Sequence, residues 1–131
     1  MKTSCARLFF FTPQRSVALY EDEVDTYLNP KIGWDWMLRG QQKEVLTPGK
    51  NPKRYVAGTL DAHSGRSIWV EGERKTSALF IALLQQLVQT YRLAPVIHLI
   101  LDNCRIHDSK LVAAALLGFG GRIRLHFLPP Y

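Results

Sequence analysis

Two aspartates stand out by position. Asp22 lies in Ser16 to Val24, a run with the length and the β-branched and aromatic content of a strand. The period of two puts Ala18, Tyr20, Asp22 and Val24 on one face and Val17, Leu19, Glu21 and Glu23 on the other, so Asp22 shares a face with apolar neighbours. Asp102 directly follows Val96 to Leu101, the most hydrophobic run, at the strand end where open α/β sheets bind ligands. If the two strands are neighbours, carboxylates about 4 Å apart repel by about 4 kcal/mol at an effective dielectric of roughly 20, and a divalent cation turns that repulsion into attraction. An all-oxygen donor set suits Mg²⁺ or Mn²⁺. The competing reading gives Asp22 hydrogen bonds at a strand end and Asp102 a turn shared with Asn103. Residue types and spacing leave both open.

Other constellations carry less chemistry. Cys104 and His107 lack the second Cys/His pair that a structural zinc site requires. Gly118-Phe119-Gly120-Gly121 follows a helical pattern instead of opening one, so it reads as a helix stop and turn, not a phosphate cradle. His63 falls in a turn and His98 inside a strand, where hydrogen-bonded structural roles suffice. No serine sits in a G-x-S-x-G elbow. A basic stretch is more informative. Between Lys31 and Arg54, the six basic residues Lys31, Arg39, Lys43, Lys50, Lys53 and Arg54 face two acidic ones, Asp35 and Glu44. With Trp34 and Trp36 among them, the stretch suits a nucleic-acid backbone, with cations on phosphates and an indole stacking or packing beneath. It equally suits a solvated loop anchored by its tryptophans.

The elements that must position these groups follow from periodicity. After the first strand, Asn29-Pro30, Pro48-Gly49 and Asn51-Pro52 mark a long connection with at most a short extended piece at Glu44 to Thr47. Arg54 to Ala62 and Arg66 to Val70 form an antiparallel hairpin around His63-Ser64-Gly65. Phe80, Leu83, Leu84, Leu87, Val88 and Tyr91 recur at helical spacing behind a Thr76 or Ser77 cap, and Pro95 bars continuation. Val96 to Leu101 reads as a central strand covered on both faces. A second helix runs from Asp108 or Ser109 to Leu117 and stops at Gly118, and Arg122 to Leu128 alternates as a final strand. Five strands and two helices result.

With 131 residues, the chain suits one domain, taken as residues 16–131 behind an irregular lead, 1–15. Apolar residues at 47% and charged residues at 21% permit a buried core and argue against disorder. Two cysteines do not make a disulfide framework, which favours a reducing, cytoplasmic setting. The longest apolar runs fall well short of the roughly 20 residues of a bilayer-spanning helix. Lys2 and Arg7 ahead of Leu8 to Phe11 only superficially imitate an export signal. The formal charge of +6 raises the expectation of a polyanionic partner.

Tyr20-Glu21-Asp22-Glu23-Val24, Leu28-Asn29-Pro30-Lys31-Ile32-Gly33, Trp36-Met37-Leu38-Arg39-Gly40, Leu99-Ile100-Leu101-Asp102-Asn103 with His107, and Leu125-His126-Phe127-Leu128-Pro129-Pro130-Tyr131 occur in this order. Together they resemble the DDE transposases of the mariner superfamily, in its bacterial insertion-sequence branch. The resemblance extends from about Val17 to Tyr131. It implies an α/β, RNase H-like fold: a five-stranded mixed sheet flanked by helices. It also implies that Asp22 and Asp102 are the first two catalytic carboxylates, holding two Mg²⁺ (or Mn²⁺) ions for DNA strand cleavage and strand transfer. Double-stranded DNA at transposon ends becomes the expected partner, with self-association or association with an intact transposase. In that family the third carboxylate lies on a helix after the Leu-Pro-Pro-Tyr segment. The expectation is therefore a truncated catalytic domain, lacking that C-terminal helix and the end-recognising helix-turn-helix and inactive alone. A catalytically silent DNA-binding remnant that interferes with an intact transposase is the alternative. Exposed apolar surface around Ile123, Leu125 or Phe127, with poor solubility, is a further expectation.

Overall fold

A computed structural model describes residues 15–30, 33–47 and 49–129. Most of the predicted lead, Lys31 of the basic segment and the final Pro130-Tyr131 lie outside the described residues. Seven elements follow one another: β1 (Val17–Tyr27), β2 (Lys53–Asp61), β3 (Ser67–Gly72), α1 (Ser77–Thr90), β4 (Ile97–Leu101), α2 (Lys110–Gly118) and β5 (Ile123–Phe127). The strand order is β3-β2-β1-β4-β5. β1, β2 and β3 form an antiparallel meander, whereas β4 pairs parallel to β1 and β5 parallel to β4. The extended piece anticipated at Glu44 to Thr47 forms no regular element.

Helix boundaries follow local chemistry. Thr76, in extended conformation, accepts a hydrogen bond from the Leu79 amide at the start of α1, and Ser109 accepts one from Val112 at the start of α2. After α2, Gly120 and Gly121 take φ values of +64° and +74°, which let the chain reverse into β5.

Core packing lies on one face of the sheet. Phe80, Leu83, Leu84 and Leu87 of α1 are fully buried, together with Leu19 of β1 and Ile97 and Leu99 of β4. Each such side chain contributes about 1.5–3 kcal/mol of transfer free energy, so this single stripe holds the domain together. Both crossovers, β3-α1-β4 and β4-α2-β5, place their helices against this face.

One expectation is corrected by that arrangement, and two further points are decided by it. β4 is covered on one side only: Ile97, Leu99 and Leu101 are buried while His98 and Ile100 remain half-exposed. The Asp22 face of β1, although apolar in composition, is the solvent-facing one, and Leu19 and Glu21 occupy the buried face. Open apolar surface does occur on β5 at Phe127, while Ile123 and Leu125 stand level with Ile97 and Leu99 and join the helix-side core. More of it lies at Tyr20, Leu60 and Trp69, on strands that no helix covers from that side.

The hairpin between β2 and β3 turns on Asp61. Its carboxylate accepts from the amides of His63 (3.0 Å) and Ser64 (3.3 Å) and from the Ser64 hydroxyl (2.5 Å), while Gly65 adopts φ +72°. The Ser64 hydroxyl first, then the two amides, hold its carboxyl below the ordinary 3.8 despite burial. A depressed folded pKa contributes stability that is present above the unfolded value and lost as pH falls through the folded one. Asp61→Ala is expected to cost about 1–3 kcal/mol at pH 7. The difference from wild type should shrink below pH 3.8, as read by denaturant melts across the acid range. A pH-independent difference would remove the ionised turn as the cause.

Candidate active site

Parallel pairing of β1 with β4 runs from Val17 opposite Ile97 to Tyr20 opposite Ile100. Asp22 and Asp102 each lie two residues beyond that last pair, Asp22 within β1 and Asp102 directly after β4. Both side chains are exposed, Asp102 at 60% of its side-chain surface. Each is oriented by a backbone amide: Asp22 Oδ1 accepts from Glu23 N at 2.8 Å and Asp102 Oδ1 from Cys104 N at 3.0 Å. Asn103 reaches across to the Leu128 carbonyl, and Leu128 N bonds the Leu101 carbonyl at 2.9 Å, so the chain after β5 lines the end of β4.

Beneath β1, on the helix side, lies a second group. Glu21, Glu23 and His107 bring ligand-capable atoms within 4.8 Å of one another. His107 is 1% exposed, and its ring packs against Phe80 at 4.5 Å between centroids, the planes tilted by 45°. Its Nε2 lies 2.9 Å from Glu23 Oε1 and 3.5 Å from Glu21 Oε2, and its Nδ1 lies 3.2 Å from the Asp102 carbonyl oxygen. A carbonyl and a carboxylate both accept, so both ring nitrogens donate and the imidazole is cationic. Burial opposes that charge, but the Glu23 hydrogen bond, the nearby Glu21 and the Asp102 carbonyl outweigh it and raise the His107 pKa. Burial also works against Glu23, whose carboxyl is nevertheless held below the usual range by His107 and by Lys75, 3.3 Å away. Glu21 differs. Neither of its oxygens has a hydrogen-bond partner, and burial, reinforced by Glu23, Asp102 and Asp22, pushes it up to about 8. The state consistent with all three is a Glu23–His107 ion pair beside a protonated Glu21.

This buried group was not singled out from the sequence. Leu19, Glu21 and Glu23 alternate onto one face, and two acids on a core face demand partners. Their partner, His107, is 84 residues away from Glu23 and only the fold reveals it.

The basic segment departs from the far end of β1, the end at which β4 delivers Asp102. Its neck is closed by Leu28 N to the Pro52 carbonyl (3.3 Å) and Asn29 N to Asn51 Oδ1 (3.0 Å). Trp34 and Trp36 are fully exposed, so neither anchors the loop. Arg39, Lys50 and Arg54 are exposed or partly so, Lys43 pairs with Asp35 at 2.6 Å, and Lys53 pairs with Asp25 at 2.7 Å between the rings of Tyr27 and Tyr55. Most of this set therefore lies along one projecting arm, while Lys53 and Arg54 open β2.

The DDE superfamily endonuclease family matches residues 17–131, spanning every element described. The chain belongs to the DDE superfamily endonucleases. Within this superfamily it is 59% identical over 91 residues to an insertion element IS630 uncharacterized 39 kDa protein of Shigella sonnei, covering 70% of this chain and 26% of that protein. Solved structures extend the likeness in fold. The simian T-cell lymphotropic virus intasome, in complex with PP2A regulatory subunit B56 gamma, aligns with a TM-score of 0.59 at 16% identity, over 89% of this chain and 33% of that one. The Mos1 transposase paired-end complex with left transposon end aligns at 0.53 and 19% identity, over 87% and 35%. The HTLV-2 integrase catalytic core domain, in complex with magnesium in its dimeric form, aligns at 0.57 and 13%, over 88% and 62%. These neighbours are RNase H-like integrase and transposase catalytic cores, so the expected fold and the insertion-sequence resemblance both hold. The DDE chain spans about a quarter of the IS630 relative's length. No helix among the described residues is long and apolar enough to cross a membrane.

Proposed function

We propose that this DDE superfamily chain takes part in metal-dependent phosphoryl transfer on DNA, the chemistry of strand cleavage and strand transfer, with Asp22 and Asp102 as the first two of its catalytic carboxylates. One observation carries the reading: two exposed aspartates each lie two residues beyond Tyr20 and Ile100, the last paired residues of adjacent parallel strands, and each has its carboxylate oriented by a backbone amide. The donor set fits a hard divalent cation, being oxygen only and open to solvent. Asp22 and Asp102 would hold Mg²⁺ or Mn²⁺, which when bound supplies activation of a water or 3′-hydroxyl and neutralisation of the leaving oxygen.

The remaining work falls to the chain itself. Amides of Glu23 and Cys104 fix the orientation of the two carboxylates. The arm bearing Trp34, Trp36, Arg39, Lys43 and Lys50, with Lys53 and Arg54 at its base and Lys31 in its sequence, would run along the phosphates of double-stranded transposon ends. Self-association, or association with an intact transposase, belongs to the same reading, supported by the paired-end and dimeric forms of the structural neighbours. A cytoplasmic setting accords with the DNA substrate.

Plasmid nicking in Mn²⁺ tests this directly. Asp102→Asn should reduce nicking to the no-metal background, and nicking that survives the substitution would remove Asp102 from the mechanism. The exposure of both arm tryptophans favours a second reading, DNA binding without cleavage. Salt-sensitive binding weakened by Arg39→Ala, with no metal-dependent nicking by wild type, would select it.

A further inference from the structure

The β1–β4 pairing ends at Tyr20 and Ile100, two residues short of the aspartates. Ladder hydrogen bonds therefore do not set the separation of Asp22 from Asp102, and something else must. We propose that His107 is a positioning residue that fixes this separation by bolting the turn after β4 to the underside of β1. The inference rests on the reading of Asp22 and Asp102 as metal ligands and adds a residue that touches neither the metal nor DNA.

The bolt has two ends. Through Nδ1, His107 holds the main-chain carbonyl of Asp102 at 3.2 Å, with the Asp102 carboxylate Oδ1 3.4 Å from the same nitrogen, and through Nε2 it holds Glu23, the residue after Asp22, at 2.9 Å. Alternation along a strand sends Glu23 to the face opposite Asp22, so pulling on Glu23 from below fixes the backbone from which Asp22 projects above. The ring itself has no freedom. It is buried, packed against Phe80, and carried by a turn closed by His107 N to the Cys104 carbonyl (3.0 Å) and by Ser77 Oγ to the Ile106 carbonyl (3.1 Å). Lys75 grips the second oxygen of Glu23 at 3.3 Å and keeps that carboxylate from rotating away. Outer partners of this kind orient ligands they do not share, and their loss typically weakens metal affinity about 10–100-fold.

Mn²⁺ titration of the full chain, followed by the paramagnetic resonance signal of the free ion, separates the possibilities. His107→Ala should weaken Mn²⁺ binding at least about tenfold. Val112→Ala, a buried helix position outside the bolt, should bind Mn²⁺ as wild type does even where its loss of melting temperature is comparable. Amide exchange should accelerate at Cys104 and His107 in His107→Ala while the β1–β4 ladder stays protected. If His107→Ala does not fold, His107→Gln, which keeps a donor facing Glu23 but cannot hold both ends, is read the same way. Wild-type affinity in a folded His107 variant, or an equal loss in Val112→Ala, would overturn the positioning role and leave the aspartate reading intact. Failure of that reading looks different. Either wild type binds no Mn²⁺, or binding persists in Asp22→Asn/Asp102→Asn; both outcomes overturn the two inferences together. Persistence there combined with loss in His107→Ala would move the ion to Glu21, Glu23 and His107.

Discussion

Phe80→Ala is expected to destabilise the chain by about 3–5 kcal/mol, the range for truncating a fully buried phenylalanine. For a domain of this size that corresponds to a fall in melting temperature of roughly 10–20 °C. Phe80 has no exposed surface and stands one residue from Leu79 in the stripe by which α1 seats on the sheet. Its removal leaves a cavity in the core and takes away the ring against which His107 packs, 4.5 Å between centroids. Calorimetry reads the loss, and Leu111→Ala on the 66%-exposed face of α2 serves as the contrast, expected within about 0.5 kcal/mol of wild type. A Phe80→Ala cost below about 1 kcal/mol would mean that α1 is not seated as described.

Glu21→Gln should have the opposite sign, and its size should depend on pH. The folded pKa of about 8 stands above the ordinary 4.5, so between these values the native state binds more protons than the unfolded one. Stability therefore falls as pH rises from about 4.5 to about 8 and levels off above, by an amount of order 4 kcal/mol from this group. Glutamine has the shape of the neutral acid and cannot ionise. The variant should match wild type near pH 4 and exceed it clearly at pH 9, measured by urea melts in chelator. Glu23, His107, Asp22, Asp102 and Lys75 surround the site. They remain in both proteins, so the difference between the two profiles isolates Glu21. Parallel profiles would show that Glu21 is ionised throughout or open to water.

Much of this architecture was legible in the residues. The spacing of Phe80, Leu83, Leu84 and Leu87 specified α1, the open choices of Thr76 or Ser77 and of Asp108 or Ser109 each included the observed cap, and His63-Ser64-Gly65 marked the hairpin. Alternation correctly divided the two faces of β1, but it could not tell which face would be covered, because that depends on the side the crossovers take. The same ignorance made β4 look buried on both sides. β1 also runs on to Tyr27, past the anticipated Val24, because β2 pairs with it beyond the reach of β4. An aspartate interrupting an apolar strand face and another closing a hydrophobic strand announce themselves to a reader of the sequence. A glutamate paired with a histidine from a distant turn does not, since nothing local in either segment depends on the other.

The pinched neck at Leu28-Pro52 and Asn29-Asn51 makes the tryptophan-bearing arm a closed loop hung on a finished sheet. Loop closure costs grow only slowly, by about 0.6 kcal/mol for each doubling of length. Descendants of this protein are free to lengthen, shorten or recompose the arm, and so to change how far it extends, without disturbing the acids on β1 and after β4. Reach and chemistry can thus evolve separately.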